Sequence, residues 1–116
     1  MIHKDLDAWK ESMVLVKQLY SITKPFPSHE QFGLTSQIRR AAVSVPANIS
    51  EGSARKGNKE FIQFLYISLG SLSELDTLVL LSIDFEYITE TKSKAVLEQI
   101  TTCSKLVYGL IRYLKK

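Results

Sequence analysis

Apolar residues recur at alternating steps of three and four along most of this 116-residue chain. That spacing keeps one face of a helix apolar and serves no other regular structure. Val96, Ile100, Cys103, Val107, Leu110 and Leu114 make the cleanest run. Leu6, Trp9, Met13, Val16 and Tyr20 make another, with Lys10, Glu11, Lys17 and Gln18 off the stripe. A third holds Leu34, Ile38, Ala41, Ala42, Val45 and Ile49. The fourth has Phe61, Phe64, Leu65, Leu72, Leu75, Leu78 and Val79, with Ser68 in its gap. No period-two segment of useful length competes. The pattern predicts an all-α, antiparallel up-and-down four-helix bundle, one domain over 1–116, with helices at about 5–23, 35–55, 59–85 and 89–115.

Punctuation between the stripes is consistent with that division. Lys24-Pro25-Phe26-Pro27 ends the first helix, because each proline fixes its own backbone and disfavours helix in the residue before it. Ser28 with Gln31 reads as a capping box that opens a short turn before Gly33. Thr35 is the expected N-cap of the second helix. Pro46 lies inside that helix, where a bend is expected because the apolar pattern resumes in register. Gly57 breaks the helix and Asn58 is expected to cap the next. Gly70 and Ser71, in the middle of the third, would let a neighbouring backbone come close.

Composition narrows the class. Hydrophobic residues at 45% with only 5 Gly and 3 Pro support one packed core and exclude a disordered chain. The single cysteine, Cys103, cannot pair internally, and 1–9 lack an apolar secretion segment, so a cytoplasmic location is expected. The uncharged stretch at 61–73 is shorter than the roughly 20 residues of a span, and no membrane helix is expected.

Fifteen Lys and Arg against 12 Asp and Glu give a net charge of +3, unevenly spread. Between Leu34 and Lys59 the cations Arg39, Arg40, Arg55, Lys56 and Lys59 face one acid, Glu51. From Glu60 to Glu90 there are acids and no Lys or Arg. Residues three and four from Arg39 and Arg40 are Thr35, Ser36, Gln37, Ala42, Val43 and Ser44, so neither arginine has an intrahelical acid. Each must meet solvent, an acid from elsewhere or a phosphate. Arg55 follows Glu51 by four positions in the favourable order, and Lys56 and Lys59 flank the Gly57-Asn58 turn. These five residues form a candidate phosphate-contacting patch. A solvated or inter-subunit ion-pairing surface is the competing account.

Helix backs that should be charged are not. The far face of the second helix holds Ser36, Arg40, Val43, Ala47 and Ser50, and the third is uncharged over 61–73. Helices small-sided or apolar all round are normally covered on both faces. A homo-oligomer interface through Val43, Ala47, Ser50, Ile67, Gly70 and Ser71 is therefore expected, against the alternative that a monomer tolerates these residues in water.

Catalysis finds little support. His3 and His29 lie in no metal-ligand spacing, and Cys103 falls on a core stripe. Trp9 and Tyr20 at helical spacing read as core before ligand box, and Asn48 and Glu51, one turn apart on one face, as an acid/amide site or, more simply, a buried hydrogen bond near the Pro46 bend. No enzyme activity, metal or other cofactor is expected.

The run Phe32-Gly33-Leu34-Thr35-Ser36-Gln37-Ile38-Arg39-Arg40-Ala41-Ala42-Val43-Ser44-Val45-Pro46-Ala47-Asn48-Ile49-Ser50-Glu51-Gly52 resembles the signature of the bacterial four-helix-bundle proteins encoded in intervening sequences of 23S rRNA genes. Asp5-Leu6 with Trp9-Lys10, Phe26-Pro27, Glu60-Phe61 with Phe64-Leu65, and Gly70-Ser71 with Glu74-Leu75 extend the resemblance over nearly the whole chain. Asn58 stands where a Ser cap would be expected. The resemblance implies a four-helix fold. Similarity to accessory proteins of diversity-generating retroelements further implies a pentameric barrel whose basic surface binds nucleic acid and a nucleic-acid-processing partner, a reverse transcriptase. Two functions are thus expected to compete: a non-catalytic, RNA-associated accessory protein, and a protein adaptor without nucleic-acid contact.

Overall fold

A computed structural model describes residues 1–116. It contains four long helices, α1 (Asp7–Thr23), α2 (Leu34–Ser53), α3 (Asn58–Asp84) and α4 (Glu90–Leu114), with 3-10 turns at His3–Asp5 and Ser28–Glu30 and no strand. At 1.5 Å per residue α3 is about 40 Å long, close to the longest dimension of the molecule, 44 Å. Each helix packs on its two neighbours around a square, α1 on α2 and α4, α3 on α2 and α4, with α1 and α3, and α2 and α4, across the diagonals.

The core follows the predicted stripes on three helices. Ile38, Ala42, Val45 and Ile49 of α2, Leu65, Leu72, Leu75 and Val79 of α3, and Val96, Cys103 and Val107 of α4 are fully enclosed. On α1 the predicted stripe is rotated by one residue. Ala8, Ser12, Leu15, Leu19 and Thr23 face the core, Trp9 and Val16 flank it, and Tyr20 is 38% exposed. A small residue and two hydroxyls in the inward positions hide this stripe from a hydropathy reading. Both hydroxyls are satisfied inside their own helix, Ser12 Oγ donating to the Ala8 carbonyl at 2.6 Å and Thr23 Oγ1 to that of Leu19 at 2.7 Å. On α4, Ile111 takes the inward place expected of Leu110, which is half-buried.

The helix starts differ from expectation in instructive ways. α2 begins at Leu34 after Gly33, and Thr35 is buried inside the helix and caps nothing. Its leading N–H is satisfied by Glu30, whose Oε1 accepts from Leu34 N at 3.1 Å while Oε2 accepts from the Tyr87 hydroxyl at 2.8 Å. Ser28 makes no capping bond to the turn it opens. Asn58 is the first residue of α3, and its amide donates to the Leu114 carbonyl at 3.3 Å, tying that helix start to the last turn of α4. Thr89 does cap α4, its Oγ1 accepting from Lys92 N at 3.2 Å.

α2 and α3 share the most extensive seam. Pro46 is buried within α2, which continues past it to Ser53. Beside the proline, buried Ser68 Oγ donates across the seam to the Val45 carbonyl at 2.9 Å. Ser71 and Ser44 hydroxyls lie 2.9 Å apart. At Gly52 the approach is so tight that a Cβ would sit 2.7 Å from Phe64 Cβ and 2.9 Å from Phe61 Cδ1. By length and composition α3 is apolar enough to cross a membrane, which the 61–73 stretch alone understated. Much of that apolarity belongs to its core face, where Phe61, Leu65, Leu69, Leu72, Leu75 and Leu78 are buried.

Candidate nucleic-acid interface

The five predicted phosphate contacts do not form one patch. Arg40 and Arg55 are separated by 15 residues, about 22 Å along the axis of α2, and they lie near opposite ends of it. Each end has its own surroundings.

Near the start of α2, Arg39 finds partners on another helix. Its Nε donates to Thr23 Oγ1 at 3.0 Å and Nη2 to the Tyr20 carbonyl at 3.4 Å, with the guanidinium 4.6 Å from the centre of the Tyr20 ring. The carbonyls of a helix's last turn carry partial negative charge and lack intrahelical donors, so this is a favourable place for a cation. Arg40 is exposed; the ion pairs of the molecule both belong to Arg55. A groove lined by Tyr20, Phe32, Ser36, Arg39, Arg40 and Val43 runs across this end.

At the other end Arg55 is engaged. Its Nη2 lies 2.9 Å from Glu51 Oε1 and its Nη1 4.0 Å from Glu60 Oε2, and the guanidinium is 4.9 Å from the Phe64 ring centre. Lys56 and Lys59 are exposed. The Asn58–Leu114 bond brings the end of α4 beside them, adding Arg112, Lys115 and Lys116. Lys115 Nζ lies 3.4 Å from the Tyr66 hydroxyl. Here Glu51 and Glu60 are both turned to Arg55. Lys4 and Lys10 at the start of α1 lie near Asp5 and Asp7 in the sequence, without an ion pair among them. Sequence reasoning missed Arg112, Lys115 and Lys116 because they are more than fifty positions from the α2–α3 turn, and only the helix pairing joins them.

The candidate interface residues divide. Val43, Ala47, Ile67 and Gly70 are exposed, and space around Gly70 is open. Ser50 is half-buried, its carbonyl accepting from Ser53 Oγ at 2.8 Å. Ser71 is half-buried against Ser44 of its own chain. Polar residues singled out for chemistry are otherwise occupied. Asn48 Nδ2 donates to the Ser44 carbonyl at 2.8 Å and lies 3.0 Å from Ser44 Oγ, the hydrogen bond expected near Pro46, while Glu51 pairs with Arg55. Burial pushes the Cys103 thiol up to about 11, against a Ser12 hydrogen bond that lowers it. His29 stands 3.4 Å from the Tyr87 hydroxyl, and the His3 ring packs edge-on to Trp9. No three His, Cys, Asp or Glu residues converge as a metal site would require.

Taken together these features define a small up-and-down helical bundle, with Arg39 and Arg40 near one end and Arg55, Lys56, Lys59, Arg112, Lys115 and Lys116 near the other. Residues 4–109 match the family model described as 23S rRNA-intervening sequence protein, and the chain belongs to that family. It is also similar to a crystal structure of a protein with unknown function from the S23 ribosomal protein family of Bacteroides thetaiotaomicron, with 25% identity, a TM-score of 0.80, and coverage of 90% of this chain and 97% of that one. No curated protein matches.

Proposed function

We propose that the chain is a non-catalytic, cytoplasmic accessory protein that associates with RNA as a homo-oligomer. The observation that carries this reading is the gathering of Lys56, Lys59, Arg112, Lys115 and Lys116 at one end of the bundle, where nearby Glu51 and Glu60 face Arg55. Lysines left without an ion pair suit a polyanion backbone, since each neutralised phosphate releases a counterion. Arg40 supplies a further contact near the other end of α2, whereas Arg39 and Arg55 serve the fold first. The exposed uncharged band of Val43, Ala47, Ile67 and Gly70 supports assembly with further copies, and the retroelement resemblance makes five the number to test.

Mobility shift with structured RNA across a salt series tests the RNA reading. The expected result is affinity that falls steeply with salt, and a shallower slope for Lys115→Ala/Lys116→Ala, by about one unit per phosphate contact removed. Binding insensitive to salt, or unchanged in that variant and in Lys56→Ala/Lys59→Ala, would sink it. A protein adaptor is the second reading, favoured by exposed Leu80, Leu81 and Phe85 near the end of α3. Retention of a protein partner after nuclease treatment, with no RNA shift, would select it.

A further inference from the structure

Phe32 is 91% exposed, the most exposed large apolar side chain in the molecule. It stands in the turn just before α2, on the groove that also holds Tyr20, Arg39 and Arg40. A free phenyl face, an arginine with no acid within 4.0 Å and a second guanidinium stacked on tyrosine thus share one concave surface. Ser36 and Gln31 line it too, offering a hydroxyl and an amide that can donate or accept, while the Ser44 hydroxyl is already engaged by Ser71 and Asn48. The main-chain anion site at the head of α2 is already filled, since Leu34 N–H points to the Glu30 carboxylate at 3.1 Å. An anion entering the groove must therefore be met by side chains.

We infer that this groove receives one unpaired nucleotide of single-stranded RNA, its base stacked on Phe32 and its phosphate on Arg40. The inference rests on the RNA reading above and specifies the form of RNA. Aromatic rings and guanidinium planes recognise nucleic acid by stacking, and only an unpaired base offers its π-face, because a duplex covers both faces with its neighbours. Charge selects the same ligand. The groove carries two cations and no carboxylate among Tyr20, Gln31, Phe32, Thr35, Ser36, Arg39, Arg40, Val43 and Ser44, so it favours a ligand that is both aromatic and anionic. An apolar peptide would leave Arg40 without a partner. Phe32 escaped the sequence reading as a site because its basic neighbours Arg39 and Arg40 are seven and eight positions away, and Tyr20 is on another helix.

Fluorescence anisotropy with a labelled unstructured decamer and a blunt RNA duplex, using the full chain, tests this. Wild type is expected to prefer the decamer. Phe32→Ala should weaken decamer binding roughly 5- to 150-fold, the size of one base–aromatic stack, and leave duplex binding unchanged. Phe32→Trp should restore it, and Arg40→Ala should lower the salt slope by about one. Circular dichroism and light scattering should match wild type for each variant. If both RNAs bind with salt dependence but Phe32→Ala has no effect, the nucleotide pocket is overturned and the RNA reading stands. If neither RNA binds at low salt, both fall. A changed molecular mass for Phe32→Ala makes the groove a contact between copies and overturns the inference.

Discussion

The guanidinium of Arg39 lies 4.6 Å from the centre of the Tyr20 ring, with its Nε 3.0 Å from Thr23 Oγ1, so α2 is clasped to the last turn of α1. Arg39→Ala should cost about 1–3 kcal/mol, from a partly buried cation–π contact and a charged hydrogen bond. Arg39→Lys should recover only part, because an ammonium cannot stack and donate in the same plane. Arg40→Ala should stay within about 0.5 kcal/mol of wild type. Urea denaturation of the three variants decides it, and equal losses at 39 and 40 would refute the clasp.

Two glycines should respond in opposite directions. Gly52→Ala would place a methyl 2.7 Å from Phe64 Cβ, and forcing the α2–α3 seam apart should cost about 1–3 kcal/mol. Gly70→Ala meets nothing within 4 Å and should stabilise α3 by about 0.5–1 kcal/mol through helix propensity. If Gly70 instead abuts another copy, its alanine variant should show reduced mass by light scattering. That outcome would fix the oligomer interface on this face.

Glu86 has φ 63°, a left-handed residue that follows α3 while Tyr87 N closes back on the Ser82 carbonyl at 2.9 Å. Glycine adopts that conformation without the Cβ clash. Glu86→Gly should therefore raise the midpoint of thermal unfolding, by about 0.5–1 kcal/mol of stability. A lowered midpoint would mean that the glutamate side chain holds something in place.

Acid stability should depend on Glu30. The Leu34 N–H, then the Tyr87 hydroxyl and nearby His29, hold its carboxyl below the ordinary 4.5 against an opposing effect of burial. A folded value below the unfolded one gives stability that is present above pH 4.5 and is lost as pH falls through the folded value. Glu30→Gln should flatten the acid limb of a melting-temperature profile, and an unchanged profile would contradict the assignment.

Alkaline behaviour should run the other way. The Cys103 thiol is held up at about 11 against an ordinary 9.0, by burial foremost. Its contribution is complete below pH 9 and declines as pH rises through the folded value. At pH 8 the native thiol should resist a disulfide reagent and react fully in guanidinium chloride. Fast labelling of the native protein would show that α4 opens locally.

Residue spacing located all four helices within a few positions, because each stripe repeats its signal over about four or five turns. Helix starts were harder to read. Thr35 and Asn58 have capping side chains, yet Gly33 and Gly57 stand in the cap positions. Glu30 serves α2 from a turn that hydropathy does not register. The rotated stripe of α1 was obscured because Ser12 and Thr23 bury hydroxyls that bond within the helix. Site residues suffered more, since partnership across helices is invisible to intrahelical spacing. Arg39 has no intrahelical acid and is held by α1, while Lys115 and Lys116, which no intrahelical pattern singles out, stand near Lys56 and Lys59.

The α2–α3 seam also bears on the order of folding. Its two helices are separated by four residues, Ala54 to Gly57, so closing that hairpin costs little chain entropy. Pairing of α1 with α4, by contrast, joins Glu11 to Gln99 across 88 positions. The hairpin is expected to form in the rate-limiting step and the α1–α4 edge to zip afterwards. Conservative truncations at Val45 or Leu72 should then slow refolding, whereas truncations at Leu15 or Val96 should chiefly speed unfolding. The tight crossing at Gly52 is in that view a nucleus, the place where a disordered chain first acquires a direction.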